Sequence, residues 1–157
     1  MRNNKLATLA ATLITLLVLS GCSLSREVES LRPYAPSDGV QSEVGDLKSR
    51  NLMFIRNDAG KAILIGSFVN ASQTELMATI ATDDKNGETF RYDFSIEPGG
   101  VFDLGYNGNP GIVLEVDEIA GAMRNVFVTA GGDPFGKLVP VLDGTLEEYR
   151  PFAEALD

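Results

Sequence analysis

Histidine and tryptophan are absent from this 157-residue sequence, and cysteine occurs once. Without histidine there is no triad of the common Ser–His–Asp kind and no imidazole ligand for a metal. A single cysteine permits no intrachain disulfide. Basic residues are scarce as well: 13 Lys and Arg stand against 22 Asp and Glu, for a formal charge of −9. So acidic a chain repels nucleic acid and anionic lipid head groups, which makes both poor partners. No serine lies in a strand–turn–helix elbow, and paired carboxylates in such a composition say nothing about glycosidase chemistry. Neither enzymatic activity nor a cofactor is expected.

Long apolar runs are limited to one. Leu6 to Leu19 carries no charge and is 14 residues long, within the range of a signal-peptide core and short of the ~20 residues a membrane-spanning helix needs. The basic stretch Met1-Arg2-Asn3-Asn4-Lys5 precedes it, and Leu19-Ser20-Gly21-Cys22 closes it. Small residues directly before a cysteine at this place resemble the lipobox of bacterial lipoproteins. In that family the thiol receives a diacylglycerol, with acyl chains such as palmitate, and cleavage makes the cysteine residue one. An ordinary signal peptide or a plain N-terminal anchor would explain the first two parts, but not the position of the only cysteine. Residues 1–21 are therefore expected to be a signal peptide and Cys22 the lipidated residue. Loss of Arg2 and Lys5 takes the mature charge to about −11, so attachment to the cell membrane at its extracytoplasmic face rests on the lipid and not on basic side chains.

Residues 22–41 read as the lipidated cysteine and a flexible tether. They are rich in Ser, Glu, Arg and Pro and lack sustained apolar periodicity. From there the pattern is of short apolar runs separated by Gly, Pro, Asn and Asp. Thr89 to Ile96 is the clearest, with Phe90, Tyr92, Phe94 and Ile96 alternating against Thr89, Arg91, Asp93 and Ser95. Asn51–Asn57, Lys61–Asn70, Glu75–Thr82, Val101–Leu104, Ile112–Val116, Asn125–Ala130 and Lys137–Leu142 are the others. About eight short strands without an amphipathic helix predict an all-β domain over 42–145. The expected architecture is an antiparallel β-sandwich of Ig-like or Greek-key kind. Gly66 marks a bulge or a close contact, and Pro140 a strand edge or end. Asn86-Gly87 predicts a hairpin with positive φ at both residues. In the tail, 146–157, Thr145-Leu146-Glu147-Glu148 matches a capping box, and Pro151 disfavours a helical Arg150.

Three groups are ligand-like. Asp83, Asp84, Asn86 and Glu88 resemble a fragment of a calcium loop without its full alternation of oxygen ligands, and a solvated hairpin tip accounts for them equally. Gly105 to Gly111 is a glycine-rich loop with Tyr106 as its candidate ligand contact. No helix is expected after it, so it is not a phosphate cradle. Met53, Met77 and Met123 are soft thioethers, and Met53 and Met77 sit in strand runs where core packing also explains them.

Beyond the box, the Pro-containing tether and Leu138-Val139-Pro140-Val141-Leu142-Asp143-Gly144-Thr145-Leu146-Glu147-Glu148-Tyr149 resemble small actinobacterial envelope lipoproteins of the LpqE type. Asn51-Leu52-Met53, Leu64 to Asn70 and Pro98-Gly99-Gly100 occur in a matching order. The resemblance implies a cell-envelope lipoprotein of no defined activity. The outline is distantly similar to periplasmic copper chaperones of the PCuAC type, small β-sandwiches that bind copper through His and Met. With no histidine here, no metal residue carries over. Two functions remain open at this point: a non-enzymatic module binding an envelope protein or small ligand, and a copper-chaperone-like metal handler. A binding module would use the loops around Tyr106 or an uncovered sheet face.

Overall fold

A computed structural model describes residues 37–157. The expected signal peptide, 1–21, Cys22 and most of the expected tether lie outside these described residues. Nine strands follow one another: β1 (Val40–Val44), β2 (Leu47–Arg56), β3 (Lys61–Asn70), β4 (Leu76–Asp83), β5 (Thr89–Ile96), β6 (Val101–Leu104), β7 (Ile112–Glu115), β8 (Met123–Thr129) and β9 (Phe135–Asp143). One short helix, α1 (Arg150–Glu154), ends the chain. Among the described residues no helix is long and apolar enough to cross a membrane.

The strands form a β-sandwich. In one sheet β1 and β3 flank β2, while β6 and β7 together line the far side of β3. The second sheet runs β5-β4-β8-β9. The links β3–β4, β5–β6 and β7–β8 each cross between the sheets, as Greek-key connections do. Between the sheets lies the main core, built from Leu52, Phe54, Leu64, Phe68, Ile80, Phe94, Val126, Val128, Val139 and Val141 among others. On the open side, Phe94 and Phe102 stack with ring centres 4.5 Å apart, carrying the core from β5 to β6 without a hydrogen-bonded ladder.

One pairing departs from the antiparallel expectation. The first part of β9 pairs with β8, but Val141, Leu142 and Asp143 run parallel to Phe54, Ile55 and Arg56 of β2. The strand passes from one sheet to the other just after Pro140, which lies opposite the first residue of β8. A residue without an N–H suits the place where one ladder ends and the other begins.

The strand β1 begins at Val40, ahead of the boundary expected at residue 42, and its hairpin with β2 was not anticipated. Gly45-Asp46 is a two-residue loop, with Gly45 at φ +58° in the first central position. That is the chemistry of a tight hairpin turn. The β2–β3 pair shifts register between Arg50 and Met53, where Asn51 takes φ +52°. Its Oδ1 accepts the Gly39 N–H at 3.1 Å. A Cβ on Gly39 would stand 2.5 Å from the Asn51 carbonyl carbon, so only glycine fits there. Gly66 faces the same shift, where a Cβ would lie 3.1 Å from Leu52 Cα, which accounts for the close contact read from the sequence.

The strands β2 and β3 are apolar on both faces. Leu52, Phe54, Leu64 and Phe68 point into the main core, whereas Met53, Ile55 and Ile65 form a second cluster on the outside of the sheet. The C-terminal segment covers that cluster with Tyr149, Phe152 and Ala153. The capping box does not form: Thr145–Glu148 is a turn, and the residue preceding α1 is Tyr149, with no side-chain cap. Arg150 is helical despite the following Pro151, because proline is accommodated in the first helical turn, where its missing N–H has no intrahelical partner to lose.

The tail is fastened by polar bonds. Lys61 Nζ donates to the Leu156 carbonyl at 2.9 Å, Asn57 Nδ2 donates to Asp157 Oδ1 at 2.9 Å, and Tyr149 Oη donates to Asp38 Oδ2 at 2.7 Å. Burial first, and then the bond to Asp38 and its charge, push the Tyr149 hydroxyl well above the ordinary tyrosine value of 10.0. The folded chain therefore holds this proton at a pH where the unfolded chain has lost it. The resulting stability is complete below that value and declines as pH rises past it. Thermal melts from pH 8 to 11 are expected to show a steeper alkaline fall in melting temperature for the wild type than for Tyr149→Phe. Parallel curves would separate the Tyr149 proton from the seating of the tail.

Candidate functional site

Leu19, Ser20, Gly21 and Cys22, the lipidation site expected from sequence, lie outside the described residues. Tyr106 is described, and its position differs from an exposed ligand contact. The loop between β6 and β7 folds against the tail, and the Tyr106 ring meets Phe152 edge-on with centres 5.3 Å apart. Half-burial, and secondarily the charge of Asp103, raise its hydroxyl pKa. The ring belongs to the second apolar cluster, and its packing accounts for an aromatic residue in this loop.

The acidic tip of the β4–β5 hairpin is occupied with holding the turn. Asp84 Oδ1 accepts the backbone N–H groups of Asn86 and Glu88 at 2.7 and 2.8 Å, and Asp83 Oδ1 accepts the Thr89 hydroxyl at 2.7 Å. The Glu88 N–H is the main cause of the lowered Asp84 pKa. Only Gly87 has positive φ, at 79°, so Asn86 does not adopt the backbone expected of it. The Asp84 carboxylate, by satisfying the Asn86 N–H, supports a longer turn than the two-residue one. Among the described residues, no three acidic side chains are grouped so as to hold a metal ion. Nor do the methionines meet. Met53 is fully buried beneath the tail. Met77 and Met123 are exposed on neighbouring strands, but the Thr79–Thr129 register puts them near opposite ends of the sheet. Eight strand positions are about 26 Å.

Two clefts open at the sandwich surface. One, of about 510 Å³, lies beneath the tail between Arg56, Asp58, Asp143, Arg150, Glu154 and Asp157. The other, of about 420 Å³, is lined by Asp83, Asp84, Lys85, Asp117, Glu118 and Arg124. Arg124 is only 9% exposed. Its guanidinium donates to Glu118 and to the Asp83 carbonyl, and its Nε is enclosed without a partner. These contacts tie the β4–β5 hairpin to the loop before β8. Both clefts mix cations with a surplus of carboxylates, and in the second Arg124 is paired with Glu118, so neither is a site of one charge.

The second sheet's outer face is different. Paired residues share a face, so the register places Ala81, Phe127 and Gly136 in one row across β4, β8 and β9. Asn125 and Leu138 form the next row, and Met123 and Pro140 the one after. The Phe127 ring lies over Gly136: a Cβ there would be 3.3 Å from Phe127 Cε1. Phe127, Leu138 and Met123 are 40, 53 and 46% exposed. Across these strands the outward positions with a charge reduce to Asp83, at the end of β4. On β5 the Arg91–Asp93 pair is internally neutralised: Arg91 Nε donates to Asp93 at 3.0 Å, and Thr79 donates to the same carboxylate at 2.5 Å. Arg91 is also the main cause of the lowered Asp93 pKa.

This patch was not singled out from sequence, although an uncovered sheet face was one expected location for a binding surface. Parity separates the two rows of each strand without saying which one faces the core. On β8 and β9 the inward row holds Arg124 and Lys137, while Phe127 and Leu138 point outward. The chain matches no protein-family model and no curated protein.

Proposed function

We propose that this chain is an envelope lipoprotein, held on the extracytoplasmic face of the cell membrane by a diacylglyceryl group on Cys22, whose sandwich is a non-enzymatic interaction module. The anchoring part is supported by the basic stretch, the uncharged run and the box ending in the only cysteine. The interaction part is carried by one observation: an exposed apolar patch, Met123, Phe127 and Leu138, on a sheet face with little charge in a chain of charge −9. The largest apolar patch on a protein surface is often an interaction site. The Tyr106 loop gives less support to binding, because the tail already covers it. Metal handling draws no support from the separated methionines or from carboxylates committed to turns.

Cys22→Ser is expected to move the protein from the membrane fraction to the soluble one, or to leave an uncleaved precursor. A wild-type protein that takes up no labelled fatty acid and fractionates as soluble would overturn the anchor. On the same preparation, titration with copper(I) and with calcium under chelator competition is expected to show no stoichiometric binding. Tight binding of either ion would replace the interaction module with metal handling.

A further inference from the structure

We infer that the outer face of β4, β8 and β9 is a self-association surface whose occupant is the same face of a second copy of this chain. The inference rests on the interaction-module reading and names the partner of that face. The first argument is charge. Two chains this acidic repel each other over most of their surfaces, since Asp and Glu outnumber Lys and Arg by 22 to 13. On this face the repulsion is reduced to one carboxylate: Asp83 lies level with Asn125 in the β4–β8 register, and Arg91 and Asp93 neutralise each other on β5. A partner recognised through charge would find little to pair with. A second copy brings an equally neutral face.

The second argument is area. The exposed parts of Phe127, Leu138, Met123 and Pro140 present on the order of 300 to 400 Å² of apolar surface, the size of the largest patch on an ordinary monomer. A two-fold stack buries that patch twice. With Thr79, Asn125 and Thr129 as a polar rim, the total comes to about 1,000 Å², the size at which weak specific interfaces begin. Shape agrees with this arrangement. The Phe127 ring covers Gly136 on one side and borders the small Ala81 on the other, which leaves low ground on the Ala81 side. Two such faces can interdigitate at the ~10 Å spacing of stacked sheets. An interface this small is weak in free solution. Confinement of both copies to one membrane raises their effective concentration, and the dimer becomes populated there.

The test uses the mature lipidated chain carrying Asn125→Cys. With Cys22 acylated, the introduced thiol is the only one, and it lies between Met123 and Phe127 on the outward row. Thiol crosslinking is carried out on purified protein in neutral phosphatidylcholine vesicles and, in parallel, in intact cells. The expected result is an adduct of twice the chain's mass in both, reduced at least fivefold by adding Phe127→Asp, with an unchanged circular dichroism spectrum. A doubled-mass adduct unaffected by Phe127→Asp would overturn the inference, because collision alone would produce it. A Phe127-dependent adduct of another mass in cells, without a doubled-mass adduct, would overturn the second copy and leave the interaction module standing. No adduct in either setting would remove both.

Discussion

Replacement of Asn70 by leucine is expected to lower the stability of the domain by about 3 kcal/mol, the loss being due to hydrogen bonds and not to volume. Asn70 ends β3 and is fully buried. Its Nδ2 donates to the carbonyls of Thr74, Ile96 and Glu97 at 2.7, 2.9 and 3.2 Å, and its Oδ1 accepts from the backbone and hydroxyl of Ser72. One amide thus joins the β3–β4 crossover to the end of β5 in the other sheet. Leucine has similar size and no polar atom, so it strands these groups. Each buried orphan costs about 1–3 kcal/mol, though Ser72 and Thr74 are near enough to solvent to recover part through water. Against a total stability of roughly 5–15 kcal/mol, the change lowers the melting temperature by about 10 °C. Urea denaturation followed by circular dichroism measures it. A loss below about 1 kcal/mol would show that the crossover is held by something else.

Arg124→Met is expected to cost about 2–3 kcal/mol, near the lower range for removing one member of a buried pair. Methionine keeps much of the length of the arginine stem and donates nothing. Glu118 then faces Asp83, Asp84 and Asp117 across the cleft without its cation, and the Asp83 carbonyl loses its donor. The partner substitution decides whether the pair itself is responsible. Arg124→Met with Glu118→Leu is expected to recover more than half of the loss, since the stranded carboxylate is removed with its partner. Strictly additive losses in chemical denaturation would refute this account. They would place the role of Arg124 in packing of its stem.

Sequence periodicity reads a strand well when one face is wet and one dry. Thr89–Ile96 met that condition and is β5 to the residue. It failed at β1 and the first half of β2 for a specific reason. Ser42 and Ser49 face each other in register, both buried, with their hydroxyls 2.6 Å apart. A hydrogen bond there replaces an apolar contact, so a hydrophobic pattern passes over it. In Leu52–Ile55 and Ala62–Ile65 the apolar residues are visible, and Leu146, Tyr149 and Phe152 suggest that the tail packs on the sandwich, but nothing local tells that Tyr149 and Phe152 cover the outer side of β2 and β3 while Leu146 stays exposed. Parity likewise cannot say which row of β8 faces the core. That is settled by register with β4 and β9, and the exposed row through Phe127 became visible only with it. The proposed lipidation, in contrast, rests on a short contiguous signal, and that signal points to Cys22 without reference to a fold.

The passage of β9 between the sheets governs the order in which the domain can assemble. A chain emerging from its N-terminus can pair β1, β2 and β3 as successive hairpins early. The edge of β2 at Phe54–Arg56 then stays open until Val141–Asp143 arrives, with almost the whole domain between them. Closing that distance is an entropic barrier late in folding and a period in which a bare strand edge is open to other chains. The polar ends of the neighbouring elements, Arg56 on one strand and Asp143 on the other, are matched in the parallel register. The core residues Phe54 and Val141 are opposite each other in the same register, so that β2 and β9 complete each other in the final step.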